Sequence, residues 1–183
     1  AAALSRLRLP AWGVLWDLGA GSGSVGIEAA ALRPDLDVWA VEKNPSRLRD
    51  MEENRRACGV TNYHIIGGDI SEKISSLPNP SRVFIGGGGR DIAGILKAAL
   101  LRLAPGGLAV VTMETVAALT GLFPRLRLSA VSLSVSEERD FGPNLHMMAP
   151  EHQVYLFSYR APEPGSITPA APLGGAEKNE ERS

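Results

Sequence analysis

Three short apolar runs in this chain break into glycine at their carboxyl end: "WDLGAGSG" at 16–23, "IIGGD" at 65–69 and "VFIGGGG" at 83–89. Glycine buries nothing and loses the most chain entropy on folding. A cluster at the end of a strand therefore marks a place where the backbone bends sharply or something comes close to it. Between the runs lie helical segments, so strands and helices alternate. "WGVLWDL" (12–18) reads as a buried strand and "SVGIEAAALR" (24–33) as a helix stopped by Pro34. "DVWAVEK" (37–43) is a second strand. Asn44 then offers a cap, Pro45 suits the first helical position, and Cys58-Gly59 closes that helix. Strands at 63–68 and 82–87 follow. Ile92, Ile95, Leu96, Ala99, Leu100 and Leu103 then recur at helical spacing to give one apolar stripe. "PGG" (105–107) ends this helix, 108–114 is a fifth strand and 115–122 a short helix. The segments 126–138 and 152–160 are strands with no helix between them, so an antiparallel pair is expected.

Five strand–helix units in series predict an α/β fold with a parallel sheet, right-handed crossovers and helices on both faces. Ligands of such sheets sit beyond the carboxyl ends of the strands, where the glycines lie. The 183 residues suit one domain, expected over 1–160, and one that buries enough surface to need no disulfide or metal. The tail at 161–183, rich in Pro, Gly and Ala and then charged, is not expected to order itself. A net charge of −1 gives no strong drive toward nucleic acid or membrane. One cysteine, Cys58, excludes a disulfide framework and supplies too few thiols for a zinc site. No apolar run reaches the roughly 18 residues that span a bilayer, and a cytoplasmic location is expected. The start "AAALSRLRLP" lacks Met and falls within an amphipathic helix, which suggests either a piece of a longer polypeptide or a disordered start left out.

The first glycine cluster reads as a nucleotide-binding turn: Gly19, Gly21 and Gly23, with Ala20 and Ser22 between them. Glu42 ends the second strand, 25 residues after Asp17, where a carboxylate can accept from both ribose hydroxyls; Lys43 adjoins it. Asp69 ends the third strand, within reach of an adenine amino group. Gly21-x-Gly23-x-x-Gly26 also matches the dinucleotide fingerprint, and the plainest alternative is that the glycines only turn the chain while Asp17 caps a helix. Asp17 disfavours a dinucleotide, because an acid so near a pyrophosphate repels it. A methionine-bearing nucleotide instead offers an ammonium group to a carboxylate there.

The form Asp17-x-Gly-x-Gly-x-Gly23 resembles motif I of class I methyltransferases that use S-adenosyl-L-methionine. With "WDLGAGSGSVGIEAA", "VEKNPSRL", "VFIGGGG" and "LAPGGLAVVTMET", the chain from about Leu4 to Leu122 more narrowly resembles the decarboxylating precorrin-6Y methyltransferases of cobalamin synthesis. It is similar to the unit that occurs alone or as the C-terminal half of a bifunctional enzyme. The resemblance implies a Rossmann-like, seven-stranded and mostly parallel sheet with an antiparallel last strand. It implies methylation of a ring meso carbon with decarboxylation of a ring acetate on a tetrapyrrole. A fused or associated N-terminal precorrin methyltransferase domain and a homotetramer follow from the same source. Other readings stay open: a methyltransferase of another small molecule or an RNA base, a nicotinamide-dependent oxidoreductase, or a cofactor-binding module with no activity of its own.

On the substrate side, Gly86, Gly87, Gly88 and Gly89 leave backbone amides and space for a bulky ligand beside the transferred methyl, with Gly86 counted toward the cofactor. Arg90 is either a bidentate carboxylate holder or a solvated first-turn arginine. The resemblance puts Thr112, Glu114 and Thr115 in the pocket wall; the alternative is that Glu114 only favours a helix N-terminus. Segment 137–153 departs from the family pattern. It reads as a substrate-covering loop bearing Arg139, His146 and Met147, or as an ordinary connection with Met147 and Met148 on the core. His64 and Cys58 read as structural.

Overall fold

The computed structural model describes residues 2–86, 89–113, 126–140 and 146–162. The expected helix at 115–122 and the tail beyond 162 lie outside them. The first elements are α1 (Ala2–Leu7), β1 (Trp12–Leu18), α2 (Ser24–Leu32), β2 (Asp35–Glu42), α3 (Pro45–Ala57) and β3 (Tyr63–Gly67). Then come α4 (Ile70–Lys73), β4 (Arg82–Ile85), α5 (Ile92–Arg102), β5 (Leu108–Met113), β6 (Arg127–Asp140) and β7 (His146–Arg160). They build one seven-stranded sheet in the order β3-β2-β1-β4-β5-β7-β6. The first five strands are parallel, and β7 runs antiparallel between β5 and β6.

Strand alternation divides the core in two. In β1, Leu15 faces α1 and α2, while Trp16 faces α5. The stripe read from the sequence is buried as expected, with Leu96, Ala99 and Leu100 fully covered against β4 and β5. Trp16, also fully buried, donates its indole N–H to the Pro78 carbonyl, and the Arg102 guanidinium lies 5.1 Å from its ring. His64 stacks on Trp39 at 4.6 Å and reaches Asp37 at 3.2 Å, a surface role. Cys58 is exposed at the end of α3.

The expected antiparallel pair at the C-terminal end is present, and its strands run longer than the sequence reading of 126–138 and 152–160. Within segment 137–153, residues 137–140 and 146–153 are strand rather than loop, and β6 and β7 stay paired through Asp140↔His146. Backbone pairing marks these stretches, and their sequence carries no apolar alternation that would announce them. Pro150, which cannot donate to a ladder, sits where the register shifts between Val135 and Ser136. β5 engages β7 only from Tyr155 to Arg160. The hairpin therefore extends beyond the carboxyl end of β5 by the residues 146–154 of β7, roughly 30 Å at strand rise.

Candidate functional site

The site is built from the turns that follow β1, β2, β3 and β4. A cleft of about 480 Å³ opens there, lined by Gly19, Glu42, Lys43, Asp69 and Gly89, with apolar walls from Val41, Ile70 and Ile95. That volume suits a small molecule.

The turn after β1 is held by backbone. The Gly19 and Ala20 amides donate to the Val41 carbonyl at 2.9 and 3.1 Å, and the Gly23 amide donates to Ala20 at 2.9 Å. Asn54 of α3 donates to the Ser22 carbonyl at 2.9 Å, fastening the tip. Two glycines are needed for conformation. Gly21 has φ +60° and turns its amide to Glu42; Gly23 has φ +82°, and a Cβ there would sit 2.7 Å from the Tyr63 hydroxyl.

Glu42 is the hub of the cleft. One carboxylate oxygen accepts from Gly21, the other from the amides of Lys43 and Asn44, all at 2.9 Å. The backbone thus fixes its direction before any ligand arrives. Asp69 caps α4 by accepting from Ser71, and its other oxygen lies 3.5 Å from the Lys43 ammonium. Those hydrogen bonds, with Lys43, hold its carboxyl below the usual range. Asp91 also borders the cleft, which gathers three carboxylates against one paired lysine among the described residues.

Opposite the β1 turn, the Gly86 amide donates to the Leu18 carbonyl at 3.0 Å. A Cβ on Gly86 would meet Phe84 at 2.9 Å and the Gly19 carbonyl at 3.2 Å. The backbones after β1 and β4 therefore come together with no room for a side chain, which accounts for the first of the four glycines.

The family model for the precorrin methyltransferase domain matches residues 1–161. The chain belongs to this family. It is 34% identical over 169 residues to a cobalt-precorrin-6B C(15)-methyltransferase (decarboxylating) of Salmonella typhimurium, covering 89% of this chain and 86% of that protein. It is 33% identical over 132 residues to a Sinorhizobium precorrin-6Y C(5,15)-methyltransferase [decarboxylating], spanning 70% of this chain but 32% of that protein. In three dimensions it is similar to the precorrin-6y C5,15-methyltransferase of Geobacter metallireducens, with a TM-score of 0.78, 32% identity, and coverage of 87% and 85% of the two chains.

Within this methyltransferase domain, the residues read from the sequence separate. Gly19, Glu42, Lys43 and Asp69 line the cleft, and Ala20, Gly21, Ser22, Gly23 and Gly86 frame it. Asp17 does not open on it. Its carboxylate is fully buried beneath α2, where one oxygen accepts from the Gly26 amide at 3.0 Å. Burial first, and the nearby Glu42 charge to a lesser degree, push its carboxyl up to about 7, against the pull of Gly26. Thr112 donates to the Ile85 carbonyl at 3.3 Å, tying the ends of β4 and β5. Gly87, Gly88, Glu114 and Thr115, and the side chains of Arg90, Arg139, His146 and Met147, lie outside the described residues.

Tyr63 escapes the sequence reading. It is 2% exposed, and its ring lies where a side chain at Gly26 would go: a Cβ there would be 2.6 Å from Tyr63 and 2.5 Å from Asp17. Gly26→Ala is therefore expected to cost about 2 kcal/mol, typical of an overpacked core. That corresponds to a fall of roughly 4–8 °C in melting temperature. A melting temperature indistinguishable from wild type in a thermal scan would show that the site relaxes freely.

Proposed function

We propose that the cleft binds S-adenosyl-L-methionine and that the domain methylates a ring meso carbon of a precorrin-type tetrapyrrole, with loss of carbon dioxide from a ring acetate. The acidic lining carries the cofactor reading. Glu42, Asp69 and Asp91 together would repel the pyrophosphate of a dinucleotide but suit a nucleoside bearing a sulfonium and an ammonium. The relatives' names carry the substrate reading.

The residues present fit that cofactor. Gly86 leaves clearance where a Cβ would intrude on the β1 turn, Glu42 is aimed to accept from the ribose hydroxyls, and Val41, Ile70 and Ile95 provide apolar contact for the base. When bound, the cofactor supplies an activated methyl, whose bonding pair leaves on sulfur. The protein's task is alignment and exclusion of water, so that the conjugated ring carbon meets the methyl in line. The strand end at Gly86–Gly89 leaves the macrocycle free to approach the backbone. Arg90 holds a ring carboxylate, Glu114 walls the pocket, and the β6–β7 hairpin, which extends past the strand ends on the cleft side, bounds it from beyond. The conjugated ring accepts the electron pair released with carbon dioxide.

A fused or associated N-terminal precorrin methyltransferase domain is supported by the Sinorhizobium relative, of which this chain matches only 32%. Among the described residues the outer edge of β6 has no strand partner, which supports assembly into an oligomer. Among the same residues no helix is long and apolar enough to cross a membrane.

The direct test is a mass spectrum of the reduced precorrin intermediate after incubation with this domain and adenosylmethionine. One methyl gained and one carbon dioxide lost are expected. An unchanged pool in the presence of a bound cofactor would refute the substrate assignment. Gly86→Val should reduce S-adenosylhomocysteine affinity roughly tenfold or more by pushing on the Gly19 carbonyl; wild-type binding would remove the steric account.

A further inference from the structure

A second cavity, of about 290 Å³, lies on the α1 side of the sheet. Ser5, Arg6 and Arg8 line it from α1 and the residue just past its end; Leu108 lines it from β5, Ser129 from β6 and Ser158 from β7. Leu108 opens β5, whereas the cleft lies beyond the carboxyl ends of the parallel strands, so the two cavities sit at opposite ends of the sheet. Ser129 and Ser158 stand opposite each other in the β6–β7 register.

Three features of this cavity have no account in packing. The first is unbalanced charge. Arg82 lies behind Arg8 and donates to the Leu7 and Arg8 carbonyls at 2.7 and 3.2 Å. Among the described residues no carboxylate comes within ion-pair distance of Arg6, Arg8 or Arg82. Burial first, and the Arg8 charge after it, lower the pKa of Arg82 from its ordinary value. The second feature is Ser158, which is 5% exposed and whose hydroxyl has no hydrogen-bond partner among the described residues. Folded proteins rarely leave such a group unpaired. The third is Arg8 itself. At φ +48° it is the only non-glycine residue with left-handed backbone among those described, a conformation that glycine would adopt at no cost. Strain of this kind persists where the side chain has a use.

We propose that this cavity binds the phosphate group of a small molecule, with Arg6 and Arg8 gripping its oxygens and the serine hydroxyls donating from the strand side. A guanidinium fits two phosphate oxygens at once and keeps its charge at any cellular pH. Ser158 has a proton to donate and no acceptor within the described protein, and a turn between staggered positions about one bond directs it. The donors come from the helix on one side and from two strands on the other, which suits a tetrahedral group better than a planar carboxylate. The volume lies below the range that takes drug-sized ligands, so the occupant is free phosphate or a phosphate ester with a short organic body.

The test is a thermal scan of the full chain titrated with inorganic phosphate from about 0.1 to 10 mM, chloride holding the ionic strength constant so that screening stays equal. The wild type should show a saturable rise in melting temperature of about 3–6 °C. Arg8→Gly keeps the left-handed backbone without strain, so it should be no less stable in chloride and yet lose most of the rise. Ser158→Ala removes a hydroxyl bonded to nothing. It too should hold its stability in chloride, while binding phosphate roughly tenfold more weakly. Glycerol phosphate supports the proposal whichever way it falls: a larger rise than inorganic phosphate identifies an ester as the occupant, a smaller one the free ion. A rise that never saturates, or one that both variants retain in full, is a bulk salt effect and overturns the proposal. An equal rise with acetate also overturns it, since the site would then select carboxylates.

Discussion

Glu42→Ala should weaken S-adenosylhomocysteine binding about ten- to a hundredfold. The carboxylate is already oriented by three backbone amides at 2.9 Å, so the ligand gains charged hydrogen bonds without first ordering a side chain. A hydrogen bond to a charged group is worth about 1.5–3 kcal/mol, and each 1.4 kcal/mol is roughly tenfold in affinity. The substitution also releases Gly21, whose left-handed turn loses its anchor. Titration calorimetry decides the matter, and an affinity close to that of wild type would remove Glu42 from the ribose.

The second large effect concerns stability. Asp17 ionises at about 7 in the folded protein and near its ordinary value of 3.8 in the unfolded chain. Below about pH 4 both states largely hold the proton, and the group favours folding fully. As pH rises, the unfolded chain ionises first and gains that free energy, while the folded protein keeps the neutral acid. Stability from this group is therefore lost between about pH 4 and 7, in total on the order of 4 kcal/mol. An asparagine side chain cannot ionise in either state. Urea unfolding of the cofactor-free Asp17→Asn variant should therefore show a gain over wild type at about pH 8 that vanishes at about pH 4. An equal difference at both would mean that Asp17 titrates normally.

Much of the fold is legible because each element carries its own signal. The stripe from Ile92 to Leu103 and the Asn44-Pro45 start of α3 have no competing reading, and the glycines mark the strand ends. What stays hidden requires knowing what lies across the sheet. Asp17 looks like a ligand carboxylate from its motif position. Its parity with Leu15 puts it on the helix-covered face, and only the packing of α2 shows how completely it is sealed. Tyr63 reads as one more strand residue, since its role depends on Gly26, far away in sequence and adjacent in space. The strand residues 139–140 and 146–151 escape notice because backbone pairing is what marks them, and that leaves no apolar period.

The placement of β7 has a consequence for how the chain is made. It is the last strand among the described residues, yet it fills an interior position between β5 and β6. As the polypeptide leaves the ribosome, residues 127–140 emerge with no neighbour to pair with, and β5 waits with one side open until residues 146–160 follow. The five parallel strands that frame the cleft depend on nothing later for their own ladders. At synthesis rates of about 5–20 residues per second, a nascent chain spends roughly two to nine seconds between the end of β5 and the end of β7, with its cofactor half paired and its sheet unfinished.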